Sequence, residues 1–463
     1  IKIMSLINSI AGIRGTIGGI VGENLTPIDT VIYASSFGTF LINNNPNEKI
    51  KVVIGRDARL SGEIIKSLVI NTLISLGIDV VDIDLATTPT VALAVPIEKA
   101  HGGIIISASH NPINWNALKL LNNKGEFINL DDGSQIELIS KKRDYLFSEV
   151  SFLGNHVIKN NYLKKHIDLI LNLKIVNVKL IKSSNYKIVV DGVNSVGGIA
   201  VPELLKQLGV EVIPLFCDPT GYFPHNPEPL PEHIKDLSIS VIKNKADLGI
   251  VVDPDVDRLA FVDEKGEPFG EEYTLVACAD YVLSKKSGNT VSNLSSTKAL
   301  KVITEKYGGK YFSSSVGEVN VVKLMKEKNA VIGGEGNGGV ILPELHYGRD
   351  ALVGIALFLS LLSYKNISVS KIKKELPAYY ISKGKVSLKT EKDFSDILNE
   401  IKLKFKKYNP ITIDGIKINF SHSWVHLRSS NTEPIIRVYS EANSQNEAND
   451  LTKKFIKELK VNL

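Results

Sequence analysis

The chain has 463 residues, 43% hydrophobic and 23% charged, and a net charge of +5 with its lysines spread along the whole length. That composition excludes a disordered chain and leaves no basic patch for nucleic acid; two cysteines, Cys217 and Cys278, exclude a disulfide framework and a thiolate metal site. No apolar stretch is long enough for a membrane span and Ile1 to Leu6 carry no signal-peptide pattern, so a cytoplasmic protein without nucleic-acid or membrane partners is expected.

Strand and helix signals alternate from the start. Lys51 to Ile54 reads as a strand, followed by a helix with Ser61 as N-cap and Gly77 at C′. Its inward stripe is Ile64, Ile65, Leu68, Val69, Thr72, Leu73 and Leu76, and Ile78 to Ile83 is again a strand. Ile104 to Ile106 is a buried strand that runs into Ser107-Ala108-Ser109-His110-Asn111-Pro112. Asn111-Pro112 forces a turn there. Ser109 and His110 therefore stand at a strand's C-terminal edge, where open α/β sheets place ligands. On these residues alone, Ser109 is either a nucleophile or a turn serine capping local amides.

The strand-then-helix pattern restarts at Lys187 to Asp191, where Gly192 to Gly198 mimics a P-loop. Gly198 and Ile199 replace its Lys and Ser/Thr, which leaves a tight strand-to-helix turn. Next, Asp253-Pro254-Asp255-Val256-Asp257-Arg258 lies between the apolar runs Leu248 to Val252 and Leu259 to Val262. Three carboxylates at alternating positions repel one another unless a cation sits among them, and hard oxygen donors suit Mg²⁺. An EF-hand is excluded, although Glu264 falls at its twelfth position, because Arg258 replaces the required glycine and the flanks read as strands.

A third restart spans Thr290 to Leu300. The run Gly334-Glu335-Gly336-Asn337-Gly338-Gly339 formally matches a dinucleotide fingerprint, but Val340-Ile341-Leu342-Pro343 cannot open the helix which that fingerprint needs. A glycine-permitted loop that offers Glu335 and Asn337 to a polyhydroxylated ligand fits better. Beyond Pro377 the pattern changes to a strand (Tyr379 to Leu388), a helix (Thr390 to Lys407), two or three more strands and a last helix from Asn446, an α+β module. Within it, Arg428-Ser429-Ser430-Asn431-Thr432-Glu433-Pro434 and Arg437 read as a phosphate clamp or as a polar hairpin turn.

Taken in order and spacing, these four segments resemble the α-D-phosphohexomutases, the superfamily of phosphoglucomutase, phosphomannomutase and phosphoglucosamine mutase. The resemblance covers nearly the whole chain. It implies three similar α/β mixed-sheet domains (1–150, 151–257, 258–370) and a smaller α+β C-terminal domain (371–463) around a central cleft. Ser109 would be the phosphoserine and would complete a Mg²⁺ site with Asp253, Asp255 and Asp257. Arg14 and Lys119 would neutralise charge on the transferring group, with His110 supporting the site and Arg258 on the substrate's phosphate side. Glu335 and Asn337 would read sugar hydroxyls, while Arg428, Ser430, Asn431, Thr432 and Arg437 would hold the phosphate that is not reacting.

The activity so implied is interconversion of hexose 1-phosphate and hexose 6-phosphate, of glucose or mannose, through a hexose 1,6-bisphosphate that is also the activator. Sugar phosphates are the expected partners, and a homodimer is the assembly the resemblance allows. Alternatives are a phosphoglucosamine mutase, a sugar phosphatase, or a non-catalytic sugar-phosphate binder. The last is opposed by Ser109 and the three aspartates. Three features depart from or subdivide the pattern: Gly339 stands where many relatives carry His, Pro254 and Val256 stand where glycines are frequent, and Ser315 to Val319 resembles archaeal members.

Overall fold

Strands that are buried on both faces are written as unbroken apolar runs, and this protein is built on such strands. The computed structural model describes residues 5–9, 12–387, 394–429 and 435–462. The chain forms two compact units: Ile1–Thr274 with Gly338–Ile372, and Leu275–Asn337 with Lys373–Leu463.

The first unit holds two sheets. Strands β1 (Ile7–Ser9), β2 (Gly12–Thr16), β3 (Lys51–Arg56), β4 (Asp79–Leu85), β5 (Gly102–Ile106), β6 (Trp115–Leu121) and β7 (His156–Ile158) lie in the order β1-β2-β6-β5-β3-β4-β7. Neighbours from β5 to β7 are parallel and those from β1 to β5 are antiparallel. Val52, Ile54, Ile104 and Ile106 face one core, and Val53 and Ile105 face the other. The helix Gly62–Ser75 covers the first face with Ile65, Val69, Ile70 and Leu73; the helix Thr88–Ile97 covers the second with Val91, Ala92, Ala94 and Val95.

Two sequence expectations fail on the first of these helices. Ile64 is exposed and Leu68 half-buried, because Ile65, Val69 and Leu73 face the sheet. Lys66 is buried instead, bonded to Asp84 at 2.8 Å and 3.3 Å from Asp82. Ser61 does occupy the N-cap position, but its hydroxyl makes no capping bond and accepts from Asn116 Nδ2 at 2.9 Å.

The second sheet has β8 (Lys187–Asp191), β9 (Glu211–Leu215), β10 (Leu248–Val252) and β11 (Leu259–Asp263) in the order β11-β10-β8-β9. That order and its directions repeat β6-β5-β3-β4 of the first sheet. A helix buried along nearly its whole length, Ala351–Lys365, packs on this sheet; its Phe358 stacks on Phe261 with ring centroids 4.0 Å apart. Among the described residues no single helix is long and apolar enough to cross a membrane.

In the second unit, β12 (Asn289–Asn293), β13 (Tyr311–Ser314) and β14 (Ala330–Glu335) repeat the parallel arrangement as β13-β12-β14. The C-terminal sheet is antiparallel, ordered Tyr380–Ser387, Ile435–Ala442, Trp424–Ser429, Ile416–Asn419, and it shares a core with the helices Phe394–Lys404 and Gln445–Asn462. The three repeated α/β sheets and the α+β end are those expected from sequence.

Within this unit the C-terminal domain is tied to the β12–β14 domain by buried polar contacts. His426 lies between Ser295 Oγ (2.9 Å) and the Asp414 carbonyl (2.7 Å), and Lys417 Nζ donates to the Leu294 carbonyl at 2.6 Å. Burial, joined by the charge of Lys417, pushes the His426 pKa down to about 4. The neutral ring is therefore the folded form, while the unfolded ring protonates near 6.5. Stability from this site is complete above the unfolded value and is lost as pH falls toward 4. Urea unfolding at about pH 7 and about pH 4.5 should show wild type losing roughly 2 kcal/mol more than His426→Gln. Equal losses would mean that His426 is not held neutral.

Candidate active site

The antiparallel pair β10–β11 is joined by the loop that carries the three aspartates, and the loop is folded by its own first carboxylate. Asp253 Oδ1 accepts from the amides of Asp257 (3.1 Å) and Arg258 (3.0 Å). Val256 sits at φ +64°, a left-handed conformation that a β-branched residue rarely adopts. Neighbours hold it there: Ala351 N donates to the Val256 carbonyl, Thr88 N to that of Asp255, and Ser195 Oγ to that of Pro254. Pro254 and Val256 thus make a strained loop that is clamped from three sides.

All three aspartates are fully buried, and their candidate ligand oxygens lie within 4.8 Å of one another. Lys119 Nζ reaches Asp255 Oδ2 at 2.5 Å and lies 3.6 Å from Asp257 Oδ2; Arg349 Nη2 donates to Asp257 Oδ2 at 2.8 Å. Thr88 Oγ1 donates to Asp255 Oδ2 at 2.5 Å. Even so, Asp255 Oδ1 and Asp257 Oδ1 have no hydrogen-bond partner among the described residues.

Burial and the neighbouring Asp257 and Asp255 push Asp253 well above the carboxylate range. Burial would also raise Asp255, but the Lys119 ammonium outweighs it and holds that carboxyl low. A buried set of hard oxygens with two uncommitted lone-pair faces, one member forced toward its protonated form, fits a hard dication.

Ser109 belongs to the same cluster. It is buried, and its Oγ donates to Asp253 Oδ2 at 2.6 Å with His110 Nδ1 at 3.3 Å. Burial, then the charges of Arg258, Arg14, Arg349 and Lys119, hold His110 well below the usual histidine range, so the ring is neutral near pH 7. Arg14 is on β2 opposite Ala117 of β6. Arg258 is paired with Glu228 at 2.9 Å, and its Nη2 lies 3.4 Å from His110 Nε2. The first unit thus gathers Ser109, His110, Lys119, the three aspartates and Arg258 around one spot.

In the second unit, Glu335 is buried at the end of β14 and accepts from Asn293 Nδ2 (2.8 Å) and the Gly317 amide (3.1 Å). Asn337 is half-buried two residues on. Arg428 and Arg437 are direct cross-strand partners in the C-terminal sheet. Like charges so placed destabilise a sheet unless negative charge offsets them, and Asp414 Oδ1 lies 3.8 Å from Arg428 Nε. Ser430, Asn431 and Thr432 lie outside the described residues. Sequence reasoning missed Arg349, Thr88 and Glu228, whose partners are distant in the chain.

Known proteins resemble this chain along most of its length. The models of phosphoglucomutase/phosphomannomutase α/β/α domains I, II and III match residues 9–146, 164–266 and 270–380, and the C-terminal domain model matches 385–458. A phosphoglucomutase/phosphomannomutase of Thermococcus kodakarensis is 36% identical over 442 residues, 94% of this chain and 96% of that protein. A probable phosphoglucosamine mutase of Methanopyrus kandleri is 32% identical over 450 residues, 96% of each. A crystal structure of a phosphoglucomutase/phosphomannomutase family protein from Burkholderia thailandensis superposes with a TM-score of 0.85 at 25% identity, covering 99% of this chain and 97% of that one.

The carboxylate cluster predicts an asymmetric response to one substitution. Without divalent cations, Asp253→Asn should melt at or above the wild-type temperature, because it makes permanently neutral a group that the buried site already pushes toward its protonated form. With Mg²⁺ at a hundredfold excess over its Kd, wild type should gain about 2.7 kcal/mol and the variant far less. Thermal melts with and without Mg²⁺ read both, and equal gains would rule out these carboxylates as the binding site.

Proposed function

The chain belongs to the phosphoglucomutase/phosphomannomutase family of phosphohexomutases, and from that premise we propose that it interconverts the 1- and 6-phosphates of glucose and mannose through a phosphoserine at Ser109. The observation that carries this reading is the Ser109 hydroxyl, 2.6 Å from Asp253 in a buried cluster of three carboxylates. A hydroxyl there is placed to carry a phosphoryl group whose charge needs a dication close by.

Asp253, Asp255 and Asp257, with a phosphoryl oxygen on Ser109, would hold Mg²⁺, whose chemistry is Lewis-acid stabilisation of charge on the transferring group. Ser109 gives its phosphoryl group to the free hydroxyl of a hexose monophosphate. The 1,6-bisphosphate so formed reorients and returns its other phosphate to Ser109. Lys119 and Arg14 supply fixed positive charge to the phosphoryl oxygens. Neutral His110 keeps a lone pair or a proton available beside Ser109 without adding charge. Glu335 and Asn337 accept from and donate to sugar hydroxyls. Arg428, Ser430, Asn431, Thr432 and Arg437 are proposed to hold the phosphate that is not reacting, and the cross-strand pairing of Arg428 with Arg437 supports an anion site in the C-terminal sheet.

A second sugar has specific support. The Methanopyrus kandleri relative carries the phosphoglucosamine mutase name, so glucosamine phosphates are the runner-up substrates.

Phosphorus NMR with Mg²⁺, a trace of glucose 1,6-bisphosphate, and glucose, mannose or glucosamine 1-phosphate in separate tubes tests the proposal. A 6-phosphate signal is expected, fastest with glucose or mannose, and Ser109→Ala should lower the rate by at least about 10³-fold. Free phosphate as the only product would make the protein a phosphatase.

A further inference from the structure

Arg59 is a fully buried arginine outside the catalytic cluster, and all its side-chain donors are occupied. Nε donates to Asp57 Oδ2 at 3.1 Å. Nη1 donates to the carbonyls of Pro112 (2.7 Å) and Trp115 (3.0 Å), and Nη2 to those of Ser109 (2.6 Å) and Asn111 (2.6 Å). A guanidinium has five N–H groups, and here they meet five acceptors. Four of these are backbone carbonyls of the turn that carries Ser109.

The turn needs such a clamp. Ser109 adopts φ +49°, a left-handed conformation disfavoured for a residue with a Cβ, and Asn111-Pro112 follows at once. Asp57 grips the other side: Ser107 Oγ donates to Asp57 Oδ2 at 2.7 Å and itself accepts from Ser109 N at 2.9 Å. The same short segment is fastened to the aspartate loop. Ala58 N donates to Ser195 Oγ at 3.2 Å, and Ser195 Oγ donates to the Pro254 carbonyl at 2.7 Å. Asp57-Ala58-Arg59 therefore bridges the two loops that face each other at Ser109 and Asp253.

We propose that Arg59, seated by Asp57, is a positioning residue that fixes the Ser109 turn in register with the aspartate loop, so that the serine oxygen meets the phosphoryl group in line. This rests on the phosphoserine reading above. Every side-chain N–H of Arg59 is committed to a protein acceptor, so it acts through those four carbonyls. A lysine at this position keeps the charge but cannot reach four divergent acceptors from one nitrogen.

The test uses Arg59→Lys, with kcat and KM for glucose 1-phosphate and amide hydrogen exchange over residues 107–116. The expected result is a kcat loss of about 10²-fold, the scale set by misplacement of about 1 Å, with KM changed less than about threefold. Exchange in this peptide should quicken by about tenfold or more while the sheets stay protected. Millimolar guanidinium should partly restore kcat in Arg59→Ala.

A folded Arg59→Lys with wild-type kcat, or with unchanged exchange, would overturn the proposal. Should that variant not fold, Ser107→Ala deletes one hydroxyl from the same chain of contacts and is read identically, with a smaller kcat loss expected and none contradicting. Exchange is measured whether or not the protein turns over sugar phosphates, so a wild type without mutase activity sinks the functional reading alone.

Discussion

Mutual repulsion among three carboxylates, sealed from water in one short loop, is the constraint to which the rest of the first unit answers. Asp253, Asp255 and Asp257 are fully buried. Such a cluster is tolerated only with compensating positive charge nearby, and the fold supplies part of it from three directions: Lys119 on β6, Arg258 in the loop itself, and Arg349 ahead of the buried helix. The compensation is deliberately incomplete in geometry, since two carboxylate oxygens stay without hydrogen bonds among the described residues. A dication bound there would complete it.

The sheets matter because of where they end. Ser109 follows β5 and Asp253 follows β10, the third strand of each repeated unit. Doubly covered strands are rigid and dry, so their C-terminal loops start from fixed points. What remains is to hold the loops against local strain, at φ +49° for Ser109 and +64° for Val256. Backbone contacts from Thr88, Ser195 and Ala351 do this for the aspartate loop, and Arg59 does it for the serine turn. Strain of this kind survives only where its surroundings over-determine it.

Much of this was legible in the sequence because the chemistry is local. Asp253 to Arg258 and Ser107 to Pro112 are contiguous, and their apolar flanks announce strands. The contributions that escaped are tertiary. Arg349 is 92 residues from Asp257, Thr88 is 167 from Asp255, and Arg59 is 50 from Ser109; no spacing rule links them. The error over Ile64 has a different origin. Ile64, Ile65, Leu68, Val69 and Ile70 are so closely spaced that an apolar stripe does not fix the helix's rotation, and only the sheet beneath it does. Choice of sugar stayed illegible because Glu335 and Asn337, in the role proposed for them, would meet hydroxyls that glucose, mannose and glucosamine share in part.

On the proposed function, the buried carboxylates serve a phosphoryl group on Ser109. Phosphopeptide mapping of the protein after incubation with glucose 1,6-bisphosphate, with and without Mg²⁺, tests it most directly. One phosphoryl group is expected, on Ser109, acquired and exchanged only when Mg²⁺ is present. A phosphoryl group on another residue, or mutase turnover with Ser109 never modified, would contradict it.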